Sequence, residues 1–176
     1  MHKTLVVVYS NTGTSLQLAR RMCAERGWEM GQIKEARVRT GLRGVLRCVL
    51  DSWLRRQPPI RFEGPDPKGF DTVVLVSPIW VYRMAGPMRS FVASEASRIQ
   101  HYAIVSVMGG SGAAPAAAEI DRLTGRSPIL SVAFTERDVA SGAYAARLPG
   151  IVSAIEGMSP SSIHRPVDLS PQAALT

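Results

Sequence analysis

Residues 4–22, TLVVVYSNTGTSLQLARRM, decide how the rest of the chain is read. From Thr4 to Tyr9 the run is apolar and rich in valine, without the alternation of a half-exposed strand, so it predicts a strand covered on both faces. From Thr14 to Arg26 the pattern is helical. The junction between them packs Ser10, Asn11, Thr12, Gly13, Thr14 and Ser15 into consecutive positions. The first turn of a helix has N–H groups with no intrahelical partner, and Ser, Thr and Asn are the residues that answer them. Capping explains one or two of these side chains. The hydroxyls at positions 10, 12, 14 and 15, with no Lys or Arg among them, also suit a phosphate monoester held by neutral hydrogen bonds and a helix dipole. They do not suit nucleoside triphosphate hydrolysis. A P-loop needs a lysine after its last glycine to meet the β- and γ-phosphates, and Thr14-Ser15 supplies none.

Apolar runs rich in valine and isoleucine recur at 72–76, 103–108 and 129–134, with a weaker one at 28–33. Between them lie helical patterns at 42–54, 87–97 and 114–124, and a last one within 139–158, where Pro149-Gly150 is expected to kink or break it. Five strands alternating with helices predict a doubly wound parallel sheet with right-handed helical crossovers. In such sheets a ligand binds beyond the carboxyl ends of the strands, where the strand order reverses. Those ends carry Ser10 to Ser15, then Ser77-Pro78-Ile79-Trp80-Val81-Tyr82, then Met108-Gly109-Gly110-Ser111-Gly112. Aromatic residues beside a switch point are placed to stack on a flat ring; the lesser alternative is that Trp80 and Tyr82 cover a sheet edge. A loop of small residues allows close backbone approach to a ligand.

At 176 residues, 45% hydrophobic and 20% charged, the chain has the size and composition of one globular unit. Residues 1–158 read as that domain and 159–176 as a Pro/Ser-rich C-terminal tail. No apolar run reaches the roughly 18 residues of a transmembrane span, and the N-terminus lacks a signal-peptide pattern, so a cytoplasmic protein is expected. Cys23 and Cys48 fall in apolar helical stripes and read as reduced core thiols. His2, His101 and His164 are scattered, which predicts no metal site.

The net charge of +7 is concentrated. Between Lys34 and Arg61 stand eight cations (Lys34, Arg37, Arg39, Arg43, Arg47, Arg55, Arg56, Arg61) against Glu35 and Asp51. Leu42, Val45, Leu46, Val49, Leu50, Trp53 and Leu54 repeat at helical spacing, with Arg43, Arg47 and Arg55 on the opposite face. That face suits plain solvation, attraction of an anionic substrate such as NADPH, contact with anionic lipid, or a dimer interface. Specific nucleic-acid recognition is not expected, because no reading helix or RNA motif accompanies the charge.

The glycine loop invites two other assignments. As a dinucleotide fingerprint it fails, because Pro115 stands where the third glycine or alanine belongs. As a nucleophile elbow, Gly109-Gly110-Ser111-Gly112-Ala113 lacks the final glycine, although Asp138 and His164 follow in hydrolase order; a serine hydrolase using Ser111 is a remote alternative.

Together the three loops resemble the flavodoxin family. Ser10-Asn11-Thr12-Gly13-Thr14 resembles its S/T-x-T-G-x-T phosphate pattern, "SPIW…GPMRSF" resembles the flavin-ring loop of bacterial flavodoxin-like FMN oxidoreductases, and "MGGSG" resembles their third loop. The resemblance runs from residue 4 to about residue 135. It implies a flavodoxin-like α/β fold with a five-stranded parallel sheet in the order 2-1-3-4-5 and helices on both faces. It also implies FMN, its phosphate on Ser10 to Ser15 and its isoalloxazine ring between Trp80, Val81, Tyr82 and the run from Met108 to Gly112, with main-chain groups of both ring loops, Pro78 and Ile79 included, on the pyrimidine edge and N5. Two departures stand out: Val81-Tyr82 occupies the place where many relatives carry a glycine, and the third loop has no aromatic to cover a flavin face. An uncovered face favours hydride transfer from NAD(P)H, with a quinone or similar small acceptor taking the electrons. The alternative is an electron carrier that exchanges electrons with a redox partner protein.

Overall fold

The structure is a computed structural model and describes residues 2–35, 58–157 and 167–168. Strand β1 (Thr4–Val8) is buried along its whole length. It lies in parallel between β2 (Glu29–Glu35) and β4 (Thr72–Trp80). Beyond β4 come β6 (His101–Met108) and β7 (Leu130–Thr135), also parallel. These five are the strands expected from the apolar runs, and their spatial order β2-β1-β4-β6-β7 is the 2-1-3-4-5 order.

Among the described residues the sheet has eight strands rather than five. Strand β3 (Ile60–Glu63) adds antiparallel to β2, with Glu35 opposite Ile60 and Gln32 opposite Glu63. It is four residues long and alternates apolar with charged side chains, so it gives no continuous run to read. Its partner strand approaches closely: a Cβ on Gly64 would lie 2.5 Å from Gly31 Cα, and the Phe62 ring fills the space where a Gly31 side chain would stand. A two-residue strand β5 (Arg83–Met84) folds back on the end of β4, and β8 (Val167–Asp168) pairs in parallel with Leu130 and Ser131 of β7. The tail segment thus contributes an edge strand.

Helix α1 (Thr14–Arg26) occupies the expected span and stops at Gly27, whose φ of 67° suits glycine. Helices α2 (Gly86–Glu95) and α3 (Ala113–Thr124) cover one face of the sheet through Met88, Phe91, Val92 and Ile120. The other face is covered by α1 with α4 (Glu136–Ser141) and α5 (Leu148–Gly157), through Leu18, Met22, Val139, Ile151 and Ile155. The last helical pattern is therefore divided, but not at Pro149-Gly150. Gly142, at φ 78°, ends α4, and a 3-10 turn (Ala143–Ala146) leads into α5. Pro149 is the second residue of α5, where its missing N–H costs no hydrogen bond. The helical pattern at 42–54 with its basic face, and Cys48, lie outside the described residues.

Candidate functional site

The first loop joins β1 to α1 at the carboxyl rim of the sheet. Helix α1 begins on Gly13, at φ 93° and ψ −17°; no side chain caps it, and its first turn holds no acidic residue. The hydroxyls beside it are occupied with the loop: Ser10 Oγ accepts the Gly13 N–H at 3.0 Å, and Thr12 Oγ1 stands 3.2 Å from Thr14 Oγ1. The helix N–H groups are thus left facing outward beside a ring of hydroxyls, an arrangement that receives anions. Asn11, Thr12 and Gly13 are exposed and Ser10 and Thr14 half-buried, whereas Ser15 is buried at 2% exposure. Thr12, Thr14 and Gln17 share a cleft of about 390 Å³ with Glu136, Val139 and Ala140 of α4. Gln17 also lines a neighbouring cleft of about 430 Å³ along α1, with Arg20, Arg21 and Tyr144. The wall supplied by α4 was not legible in the sequence, because only the fold returns the chain there.

The second segment is not an open loop. Strand β4 runs on through Ser77 and Pro78, which pair with Ser106 and Val107, and ends at Trp80. Val81 and Tyr82 make a two-residue turn, both with positive φ (51° and 61°), and Arg83 returns opposite Trp80. Ser77-Pro78 reads as a stop in sequence, but Pro78 lacks only an N–H, and its carbonyl still accepts from Ala85 at 3.1 Å. Val81 and Tyr82 are the exposed large hydrophobic residues among those described, at 45% and 58% exposure. Trp80 is half-buried, its ring edge-on to Tyr9 with centroids 6.0 Å apart, and the Tyr9 hydroxyl donates to Glu35 Oε1 at 2.5 Å. Tyr9 and Glu35 stand at this rim although neither carries a motif. Ile79 and Met108 are buried in a small cluster with Ala113, Ala116 and Ala133, so only their main chains face the site.

The third loop leaves Gly109, Gly110 and Ser111 exposed. Gly112, at φ 113°, begins α3 with no side-chain cap. A Cβ there would lie 2.9 Å from Tyr82 Cα and 3.2 Å from both Tyr82 Cδ1 and Ile79 Cγ2. The second and third segments are therefore packed on each other, and only glycine fits at the contact. The geometry offers a hydrogen-bonding pocket at one end of the rim and a partly apolar, backbone-lined edge at the other. Such an arrangement can receive an anion at one end and a flat, partly apolar group at the other.

A hydrolase triad is not assembled among the described residues. The Asp138 carboxylate accepts the Thr135 N–H at 2.9 Å as half of a capping box at the start of α4, and that bond holds it below the usual carboxylate range. His164 lies outside the described residues. Among the described residues there is no cluster of three His, Cys, Asp or Glu that could hold a metal, and no helix long and apolar enough to cross a membrane.

The architecture is that of a flavodoxin-like α/β protein. Similar solved structures include a flavoprotein in complex with FMN from Lactobacillus acidophilus, 17% identical, with a TM-score of 0.65 over 80% of this chain and 98% of that one. A flavoprotein from Bacteroides eggerthii is 18% identical with a TM-score of 0.60, over 82% of this chain and 98% of its own. The flavodoxin, WrbA-like protein from Agrobacterium tumefaciens is 10% identical with a TM-score of 0.53, over 87% of this chain and 98% of its own. No protein-family model matches the chain, and no curated protein does.

Proposed function

We propose that this rim binds FMN and that the protein is an FMN-dependent oxidoreductase, in which NAD(P)H delivers electrons to the flavin and a quinone or similar small acceptor removes them. One observation carries the flavin assignment: α1 starts on an uncapped glycine with no acid in its first turn, while Ser10, Thr12 and Thr14 stand beside it without capping it. Hydroxyls gathered for a cap would bond the helix N–H groups themselves. Here the first-turn N–H groups and the Ser10 O–H remain to serve a dianion, while Thr12 and Thr14 bond each other and keep one hydroxyl hydrogen between them.

When bound, FMN supplies the hydride and electron chemistry. The residues of the chain hold and orient it. Ser10, Thr12, Thr14 and the first-turn amides would hold the phosphate through neutral hydrogen bonds. Trp80, Val81 and Tyr82 would offer an apolar edge, and Gly109 to Gly112, of which only Ser111 carries a side chain, would let main chain come close to the ring. Ser15, Ile79 and Met108, buried, support these loops from beneath, and Pro78 fixes the hairpin through its carbonyl.

Freshly purified protein is expected to be yellow, or to become so on adding FMN. Stopped-flow mixing of the loaded protein with NADPH or NADH should bleach the flavin absorbance. Val81 and Tyr82 also make an exposed apolar contact beside the ring site, which favours the carrier alternative as the second reading. Reduction only through a separate reductase protein, with no bleaching by either nucleotide, assigns the chain to that class. A colourless protein that cannot take up FMN overturns both.

A further inference from the structure

A charge cluster lies under the ring-site turn, and nothing in flavin binding itself requires it. Arg89 of α2 is 2% exposed and is the largest fully buried side chain of the described residues. Glu119 of α3 is buried too, and its Oε1 stands 3.6 Å from Arg89 Nη1 and 3.5 Å from Arg83 Nη1. Arg89 Nη1 also donates to the Met84 carbonyl at 3.3 Å. One carboxylate thus joins β5, α2 and α3. Helix α3 itself starts at the third ring loop, and Arg83 is the residue that immediately follows the turn.

The turn needs holding. A two-residue hairpin with both φ values positive is the type I′ geometry, normally Asn-Gly or Gly-Gly. Here its residues are Val81 and Tyr82, and a β-branched side chain in the left-handed region is disfavoured. Such backbone persists only where its surroundings over-determine it. Those surroundings are the pairing of Trp80 with Arg83, the Ala85 N–H to Pro78 bond, and the contact of Tyr82 with Gly112. The Arg83–Glu119 ion pair ties the returning strand directly to α3, beside the indirect link from the Met84 carbonyl through Arg89.

We propose that Arg83 and Glu119 are positioning residues that clamp the strained 81–82 turn against Gly112 and so fix the position of the apolar edge beside which the flavin ring would lie. That ring rests on the FMN reading above; the clamp itself is a property of the polypeptide.

Arg83→Met is the discriminating variant, because it keeps the aliphatic stem and leaves the buried Arg89–Glu119 pair intact. In the cofactor-free protein, hydrogen exchange at Arg83, Met84 and Ala85 is expected to quicken at least tenfold, with Val74 and Leu75 in the middle of β4 unchanged. FMN affinity, read by quenching of flavin fluorescence, should fall at least tenfold. In a background carrying Val81→Asn and Tyr82→Gly, whose turn holds its shape unaided, the same change should cost less than threefold. Unchanged exchange overturns the clamp, as does an equal loss of affinity in both backgrounds, which would mark a general electrostatic or structural effect. Glu119→Gln should repeat the exchange pattern if it folds; if it does not, Arg83→Met carries the test. A wild-type protein that binds no FMN removes the flavin reading, and the exchange measurement still decides the clamp.

Discussion

Thr12 and Thr14, their hydroxyls 3.2 Å apart beside an uncapped helix start, are the residues on which the phosphate assignment turns. Replacing both by valine should weaken FMN binding more than tenfold, since a hydrogen bond to a charged group is worth about 1.5–3 kcal/mol. Unchanged affinity in a fluorescence titration would reduce the loop to local structure. These side chains were legible in the sequence because their density exceeds what a cap uses. Arg89 and Glu119 were not, because charge in a helical stripe ordinarily means a solvated face, and Arg83 was not, because nothing in its segment announced a returning strand. Their one visible trace is that Glu119 follows Ala113 and Ala116 on the buried side of α3. Cys23 was readable as a free thiol by its place in an apolar stripe, and burial pushes it up to about 11. In a Cys48→Ser variant the remaining thiol should react slowly with a disulfide reagent at pH 8 and rapidly once urea unfolds the chain. Fast reaction in the native state would contradict the burial.

Among the elements, α4 shows how much rests on its first turn. Thr135 Oγ1 accepts the Asp138 N–H at 3.0 Å, and the Asp138 carboxylate returns the bond to the Thr135 N–H. Thr135→Ala should lower stability by about 1 kcal/mol in urea unfolding. The Asp138 carboxyl is held below its ordinary range, first by that main-chain bond and then by the Thr135 side chain. Its contribution is therefore fully present above the unfolded-state value, roughly pH 4, and is lost as pH falls through the lower folded-state value. The stability gap between wild type and Asp138→Asn should accordingly close on acidification from pH 7 to below pH 3; a gap that widens would reverse the assignment. Helices α1 and α3 were legible almost to the residue because glycines mark their ends. The hairpin at 80–83 was not, since Val-Tyr is an unlikely pair for a tight turn and only the tertiary contacts described above make it one.

For the whole molecule, the parallel strands followed from apolar runs and crossover geometry and their order from the resemblance of the three loops to the flavodoxin family, whereas the edge strands were hidden. Strand β3 is too short and too charged to announce itself, and β8 is two residues in a Pro/Ser-rich stretch. The pairing of β2 with β3 has a wider effect. Glu35 and Ile60 face each other across the ladder, so the chain between them departs from and rejoins the sheet at a single point. Residues 36–57 contain six arginines and one aspartate, five of the seven net positive charges. Replacing those six arginines by glutamine keeps the length and the apolar positions of the segment, and should leave a folded, nearly neutral protein whose uptake of FMN, the cofactor proposed for the rim, is unchanged. An anionic partner attracted to those arginines, one of the readings of that face, would then be lost while flavin uptake survived, so that recruitment and cofactor binding would be separable.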